Sequence, residues 1–374
     1  MPPLARRNLF HDRIRLAVTL TGIVFAIVLI VVQLGLFIGF STTTSNLIDH
    51  SGADIWVGSR GVPYLEQGTA LNERKLYTIL AIPGVAAAEK YIARFAPVKT
   101  PDGRQEGSLI AGFNLYGQMG HPWDIVEGRV EDLQSSDTVF VDELYKKKLG
   151  IWNVGEALEI NGYRARVVGF TRGIRSFTTS PYIFTSFKNA QNYARIPVDQ
   201  TVYFLVRAVP GADGQEIKQR IVERVPDVEA FATAEFSRRT RVYWMFTTGA
   251  GIAVLIAALL GLVVGVVVVT QTIYATTMDH LREFGTLKAM GASNGYIYRI
   301  LIEQALLSAV LGYALGMMVS VFVVRASREG GAAILMPPSL AAGLFVLTVA
   351  MCVGAALVSI NKVTRIDPAM VFKG

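Results

Sequence analysis

Asp279-His-Leu-Arg-Glu-Phe-Gly-Thr-Leu-Lys-Ala-Met-Gly-Ala292 lies between two long apolar segments that nearly touch it. Upstream, Val242–Met278 is uncharged between Arg241 and Asp279; downstream, Gln304–Val324 is uncharged between Glu303 and Arg325. Roughly 20 apolar helical residues cross a bilayer, so the stretch joins two membrane spans. A plain connection between spans needs no charged amphipathic helix. One this polar, this short and this tightly tethered reads as a lever on which something in the cytoplasm pushes.

Working outward, two further runs have the same character. Leu16–Phe40 carries no charge between Arg15 and Asp49, and Leu340–Ile360 none from Pro337 to Lys362. The first exceeds the 7–15 apolar residues of a signal peptide and lacks a small-x-small cleavage site, so it reads as an uncleaved anchor. The chain is 52% hydrophobic and 17% charged, but it is this clustering that decides the class. The expected fold is a membrane protein of four transmembrane α-helices, with an α+β extracytoplasmic domain inserted between helices 1 and 2. The net charge of +7 belongs to basic residues bracketing the spans, not to a nucleic-acid partner. The single cysteine, Cys352, lies within the fourth run and allows no internal disulfide.

Charge sets the topology. Arg6, Arg7, Arg13 and Arg15, then Arg282, Lys288 and Arg299, then Lys362, Arg365 and Lys373 share one side if there are four spans. The positive-inside bias makes that side cytoplasmic. Arg238, Arg239 and Arg241 before the second span, and Arg325 and Arg328 after the third, oppose it; the first group ends a long domain, and long translocated domains largely escape the rule. Both termini are therefore expected inside, in a bacterial inner membrane. The layout reads as a cytoplasmic segment 1–15, helix 1 at 16–40, the external domain at 41–241 in two lobes, and helix 2 at 242–278. A coupling segment 279–295 follows, then helix 3 at 296–325, a short external loop 326–338, helix 4 at 339–360 and a tail 361–374. Helix 2 is overlong: about 37 residues make about 55 Å of helix at roughly 1.5 Å per residue, against about 30 Å of hydrocarbon. The excess is expected to project as a stalk with a polar foot at Glu235–Val242.

Within the inserted domain, short alternating runs predict strands at Asp54–Val57, Ala93–Lys99, Ser108–Phe113, Thr138–Val141, Ala157–Ile160, Ala165–Phe170, Tyr182–Thr185 and Thr201–Val206. Asn161-Gly162 predicts a type I′ hairpin, and Pro101-Asp102-Gly103 a turn. Helices are expected at Asn72–Ile82, Asp142–Leu149 and Gly214–Val225. The four histidines are scattered, and HExxH, CxxC and GxSxG are absent; no catalytic or metal site is expected. His121 beside Pro122 and Trp123 reads as a packed loop histidine.

Spacings of three place Leu281, Phe284, Leu287 and Met290 on one stripe, with Arg282 and Glu283 off it. Gly285 permits close backbone approach, and Gly291 sits where a helix stops. Physics alone also allows an interfacial helix lying among lipid headgroups. The run Arg282-Glu283-Phe284-Gly285-Thr286-Leu287-Lys288-Ala289-Met290-Gly291-Ala292, followed by Ile297–Gly316 with Glu303, Gly312 and Gly316, resembles the permease family of MacB and FtsX. The family's pattern has Ile where this chain has Phe284. Arg365-Ile366-Asp367-Pro368-Ala369 looks like that family's ending. Glu127-Gly128-Arg129, DTVFVDELYKKKLG (137–150), VGEALEINGYRARVVG (154–169) and SPYIFTSF (180–187) are similar to its periplasmic domains, most of all those of DevC-type exporter permeases.

The resemblance implies the permease half of a mechanotransmissive ABC exporter of lipid, glycolipid, peptide or drug. Leu281, Arg282, Glu283, Phe284, Gly285, Leu287, Lys288, Met290 and Gly291 would form the coupling helix seated on an ATPase. No GxxxxGK[ST] occurs here, so ATP and Mg would be bound by a separate ATPase subunit, itself a dimer. A second permease copy, membrane lipids, a periplasmic adaptor and an outer-membrane channel are the other partners implied. Gly261 and Gly265, and Gly312 and Gly316, form small-xxx-small motifs suited to close helix packing within the chain or across a homodimer. Glu303, one turn inside the third span, could serve transport; a structural partner in Arg299 at i−4 is favoured. The alternative from another class is an FtsX-like transmembrane regulator of a cell-wall hydrolase, although a domain of roughly 200 residues resembles exporters more.

Overall fold

A computed structural model of the chain describes residues 13–177, 180–279, 281–329 and 334–363. It begins with α1 (Arg13–Thr43), then β1 (Ile55–Ser59), β2 (Leu71–Asn72), α2 (Lys75–Leu80), β3 (Val85–Lys99) and β4 (Gln105–Phe113). Next come β5 (Ile125–Glu127), β6 (Thr138–Asp142), β7 (Ala157–Ile160), β8 (Tyr163–Thr171), β9 (Tyr182–Ser186) and α3 (Phe187–Tyr193). β10 (Gln200–Thr201), β11 (Tyr203–Ala208), α4 (Gly214–Arg224), β12 (Val228–Ala232) and α5 (Thr233–Val242) complete the inserted domain. The chain ends with α6 (Ala250–Asp279), α7 (Leu281–Ala289), α8 (Asn294–Glu329) and α9 (Pro338–Val363). Two compact units result, one of membrane helices and one spanning Gly39–Ile252.

Four helices are long and apolar enough to cross a membrane: Leu16–Thr43, Ala250–Met278, Asn294–Ser327 and Pro338–Val358. Charge-free runs become helices because the bilayer core offers no water, so each backbone group must bond within its own segment. α1 is the packing centre of this unit. A Cβ added to Gly261 or Gly265 of α6 would lie 2.8 Å from Gln33 Cγ or Ile30 Cδ1. One added to Gly312 or Gly316 of α8 would lie 2.5 Å from Ile23 Cγ2 or 3.0 Å from Ile27 Cβ. Ile23, Ile27 and Ile30 of α1 are buried in return. Both small-xxx-small motifs are thus used inside one protomer, against the same helix, which is the intrachain packing that the sequence allowed for these four glycines. A hydroxyl pair joins α1 to α6 as well, Thr19 Oγ1 to Thr276 Oγ1 at 2.9 Å. α9 closes on α8 through the Tyr313 hydroxyl, which donates to the Ala341 carbonyl at 2.8 Å.

The overlong second helix is not continuous. α5 runs into a π-helical turn, Tyr243–Thr247, and the chain breaks at Thr248–Gly249 before α6 begins. Gly249 has φ +74°, which a side chain disfavours. At Gly251 an added Cβ would lie 2.4 Å from the Met245 backbone. The Thr248 hydroxyl donates to the Trp244 carbonyl and accepts the Ala250 N–H, so it ends one helix and caps the next. The expected 242–278 stalk therefore divides into α5, the π-helical turn and a span of 29 residues.

In the inserted domain a ten-stranded sheet has the order β12-β1-β11-β3-β4-β9-β6-β8-β5, with β7 bridging β3 and β8. β3 pairs with β11 from Val85 to Tyr91 and with β4 from Ile92 to Lys99. That 15-residue strand makes the two expected lobes share one sheet. Each keeps its own core. α2 and α4 cover Ile55, Val57, Phe204 and Val206 with Ile79, Ile217 and Ile221, while Trp56, Tyr91, Phe113, Phe140 and Phe184 belong to the larger cluster. The predicted hairpin forms, with Asn161 at φ +53°, Gly162 at φ +89° and Ile160 opposite Tyr163. At the predicted turn, the Gly103 N–H donates to the Thr100 carbonyl. The first half of β3, β5, β12 and α3 are additions to the sequence reading.

Gly312→Leu or Gly265→Leu should destabilise the helical unit by about 1–3 kcal/mol through overpacking, seen as a lower melting temperature in detergent. Gly354→Ala, where an added Cβ meets open space, should leave it unchanged. Equal effects at all three positions would refute the α1-centred packing.

Candidate functional site: the helix between the second and third spans

α7 forms from Leu281 to Ala289 and ends in a complete Schellman motif. The Ala292 N–H donates to the Leu287 carbonyl and the Gly291 N–H to the Lys288 carbonyl, both at 3.0 Å. Gly291 adopts φ +90°, the left-handed conformation this cap requires. The expectation of a glycine stop is met in its specific geometry. Ser293 then caps α8, its Oγ accepting the Tyr296 N–H at 3.3 Å. Two helices thus abut through a four-residue link, Met290–Ser293, that leaves little freedom.

The two faces of α7 differ. Gly285 is buried, and Leu287 packs with Met278 against Ile297, Ile300 and Leu301 of α8. Glu283, Thr286 and Ala289 are exposed, as are Gly291, Ser293, Asn294 and Gly295 beyond the helix. Met290 is 72% exposed. Lys288 is half-buried. The single stripe expected from sequence is therefore divided: Leu287 turns inward and Met290 outward. Met290 lies past the last helical residue, where the Schellman cap redirects the chain. Leu287 is drawn inward because the α8 isoleucines offer an apolar surface only one turn away. The side chains of Leu281, Arg282 and Phe284 lie outside the described residues, as do His280 and Arg365–Ala369.

Glu303 has its partner one turn back on α8. Arg299 Nε donates to Glu303 Oε1 at 3.1 Å, with the carboxylate side the more buried. This is the structural pairing that sequence spacing favoured. Sequence reasoning missed the exposed Ser293–Gly295 step that extends the α7 tip. The signal was present, since a serine three residues before Tyr296 and just after a glycine stop marks a helix start. Among the described residues no cluster of three or more His, Cys, Asp or Glu could hold a metal.

Residues 16–224 match the family model of the MacB-like periplasmic core domain, and residues 255–368 that of the FtsX-like permease C-terminal. The chain belongs to the MacB/FtsX-type ABC transporter permeases. An uncharacterized ABC transporter permease of Mycobacterium bovis is 25% identical over 369 residues, covering 97% of this chain and 96% of the relative. Another, of Mycobacterium tuberculosis, is 24% identical over 382 residues, covering 99% of each. The periplasmic region of MacB from Actinobacillus actinomycetemcomitans matches at TM-score 0.40 and 12% identity, over 51% of this chain and 94% of that one. The extracellular domain of the transporter YknZ from Gram-positive bacteria matches at TM-score 0.35 and 11% identity, over 43% and 89%. As an ABC permease, the chain is a multi-pass membrane protein and implies a partner ATPase.

Gly291→Val should loosen this site by about 1–2 kcal/mol, because a β-branched residue resists positive φ. Limited proteolysis should then cut near residues 286–295 faster than in the parent, with the inserted domain equally resistant in both.

Proposed function

We propose that the chain is the permease subunit of a mechanotransmissive ABC exporter, driven by ATP hydrolysis in a separate ATPase subunit. The observation that carries this reading is the two-faced α7. Its outward side offers Glu283, Thr286, Ala289 and the prominent Met290, while its inward Leu287 is keyed into α8 and the end of α6. A push on the exposed tip would be passed to both spans, because interlocked apolar side chains move as a body. ATP and Mg belong to the partner, and the permease is non-catalytic. Both termini lie in the cytoplasm, the membrane is the bacterial inner membrane, and the inserted domain is outside. A homodimer of permeases above an ATPase dimer fits the family, with a periplasmic adaptor and an outer-membrane channel as further partners. Cargo of the lipid, glycolipid, peptide or drug class would be acted on at the inserted domain. A large sheet with two cores supports export over the FtsX-like regulation of a cell-wall hydrolase.

The break at Thr248–Gly249 refines the mechanism. A rigid stalk would deliver motion of α6 to the inserted domain directly. A joint with positive φ at one glycine lets α6 turn about its upper end, with the π-helical turn as the element that receives the motion. π-bulges recur at such functional positions.

Two substitutions separate docking from folding. Met290→Asp should weaken co-purification with the ATPase at least ten-fold and uncouple ATP hydrolysis from transport, while thermal stability stays unchanged. Leu287→Asp should lower stability by about 2–4 kcal/mol, because it buries a charge in an apolar cluster. ATPase binding unaffected by Met290→Asp would argue against this face as the docking surface. Cysteine labelling tests the topology: Gly103→Cys should react from outside, and Ser293→Cys only after permeabilisation.

A further inference from the structure

Glu66 occupies an unusual place in the inserted domain. It sits in a single 3-10 turn, Leu65–Gln67, that reaches the π-helical turn before α6. The Trp244 indole N–H donates to Glu66 Oε2 at 3.5 Å. Tyr64 stacks on Tyr243 with ring centroids 4.1 Å apart and meets Trp244 edge-on at 5.2 Å. Phe177 lies against Trp244 at 4.5 Å and against Phe40 at 5.1 Å. Five aromatic rings from four separate stretches thus form one contiguous set, and the Glu66 carboxylate meets it at Trp244.

We infer that Glu66 is a proton-operated latch: neutral, it holds the π-helical turn Tyr243–Thr247, and with it the entry to α6, against the inserted domain; ionised, it lets that turn go. The reason is desolvation. A carboxylate among aromatic rings loses its water and is tolerated as an anion only beside a cation or several donors. Among the described residues Glu66 takes part in no ion pair, and its one side-chain donor is the long Trp244 bond. The titratable groups around it are phenols: Tyr243, and Tyr64, Tyr182 of β9 and Tyr203 of β11, which burial, then the neighbouring charge of Glu66 among others, hold above the ordinary tyrosine range. None can neutralise an anion. Accordingly, burial pushes the Glu66 carboxyl up to about 7, with its own backbone N–H and Trp244 opposing. Glu66 retains partial surface exposure, so its proton exchanges with solvent without unfolding the domain.

The sign follows from linkage. Released, Glu66 titrates as an ordinary glutamate, at about 4.3; latched, it titrates near 7. The latched state is fully favoured below the lower value. It weakens about ten-fold per pH unit between the two and levels off above the higher. The whole range amounts to roughly two to three orders of magnitude in the latching equilibrium.

Hydrogen exchange on the full chain in lipid nanodiscs reads this directly. After correction for intrinsic exchange, amides of the segment 243–250 should lose protection as pH rises from 5 to 7, then level off. Amides in the middle of α8 serve as the control and should not change. Glu66→Gln, neutral at every pH, should keep segment 243–250 protected throughout. Trp244→Phe removes the donor that favours the anion, so its levelling-off should move to higher pH; this variant decides the matter should Glu66→Gln fail to assemble. A flat wild-type profile, a wild-type slope retained in Glu66→Gln, or an unmoved plateau in Trp244→Phe would each overturn the latch.

Discussion

Everything in the helical unit depends on α1 being approached closely from two sides. Lipid chains are as apolar as leucine, so no hydrophobic force draws membrane helices together; tight packing must do it. Ile23, Ile27 and Ile30 supply the ridges, and Gly312, Gly316 and Gly265 the hollows. Branched side chains against glycine backbone maximise contact while losing little side-chain entropy, because isoleucine is already stiff at χ1. With both glycine motifs committed to α1, α6 and α8 are held on either side of it, and their α7 ends are brought within reach of one another.

That arrangement explains why α7 can be short. A nine-residue helix is marginal alone. Here Leu287 gains an apolar site formed by α8 and Met278, and the Schellman cap satisfies carbonyls that would otherwise face the interface. The consequence is a helix whose inward anchor, Leu287, and outward tip, Met290, are different residues. Sequence periodicity merged them into one stripe, because the helical wheel continues past Ala289 while the chain does not.

Much of the fold was legible for reasons that can be named. Charge-free runs must be helices in lipid, so four spans followed from the charges that bound those runs, although the second begins at Ala250 rather than just after Arg241. Asn161-Gly162 and Gly291 were legible because positive φ restricts the choice of residue. Arg299 and Glu303 were legible because i,i+4 spacing is local. What escaped was non-local. Val85-Ala-Ala-Ala-Glu-Lys-Tyr91 has little strand character of its own and becomes β3 only because β11 lies beside it. The partners of the glycine motifs could not be chosen by pattern, since a second copy and α1 make the same demand. The break at Gly249 was hidden because glycine inside an apolar run is ordinarily tolerated; the positive φ of Gly249 and Met245 folding back on Gly251 reveal it.

The same break bears on how force could leave the helices. A helix that continued unbroken from α6 into α5 would make the inserted domain follow every tilt of its span. With a break at Gly249, the π-helical turn is held by its own contacts within the inserted domain. The observed grip is the aromatic set around Trp244, built on Tyr64, Phe177 and Phe40. Apolar ring contacts tolerate sliding, since they lack the directionality of hydrogen bonds. In the proposed latch they hold the turn in one geometry and release it in another, and the Glu66 carboxylate is the group whose charge separates the two.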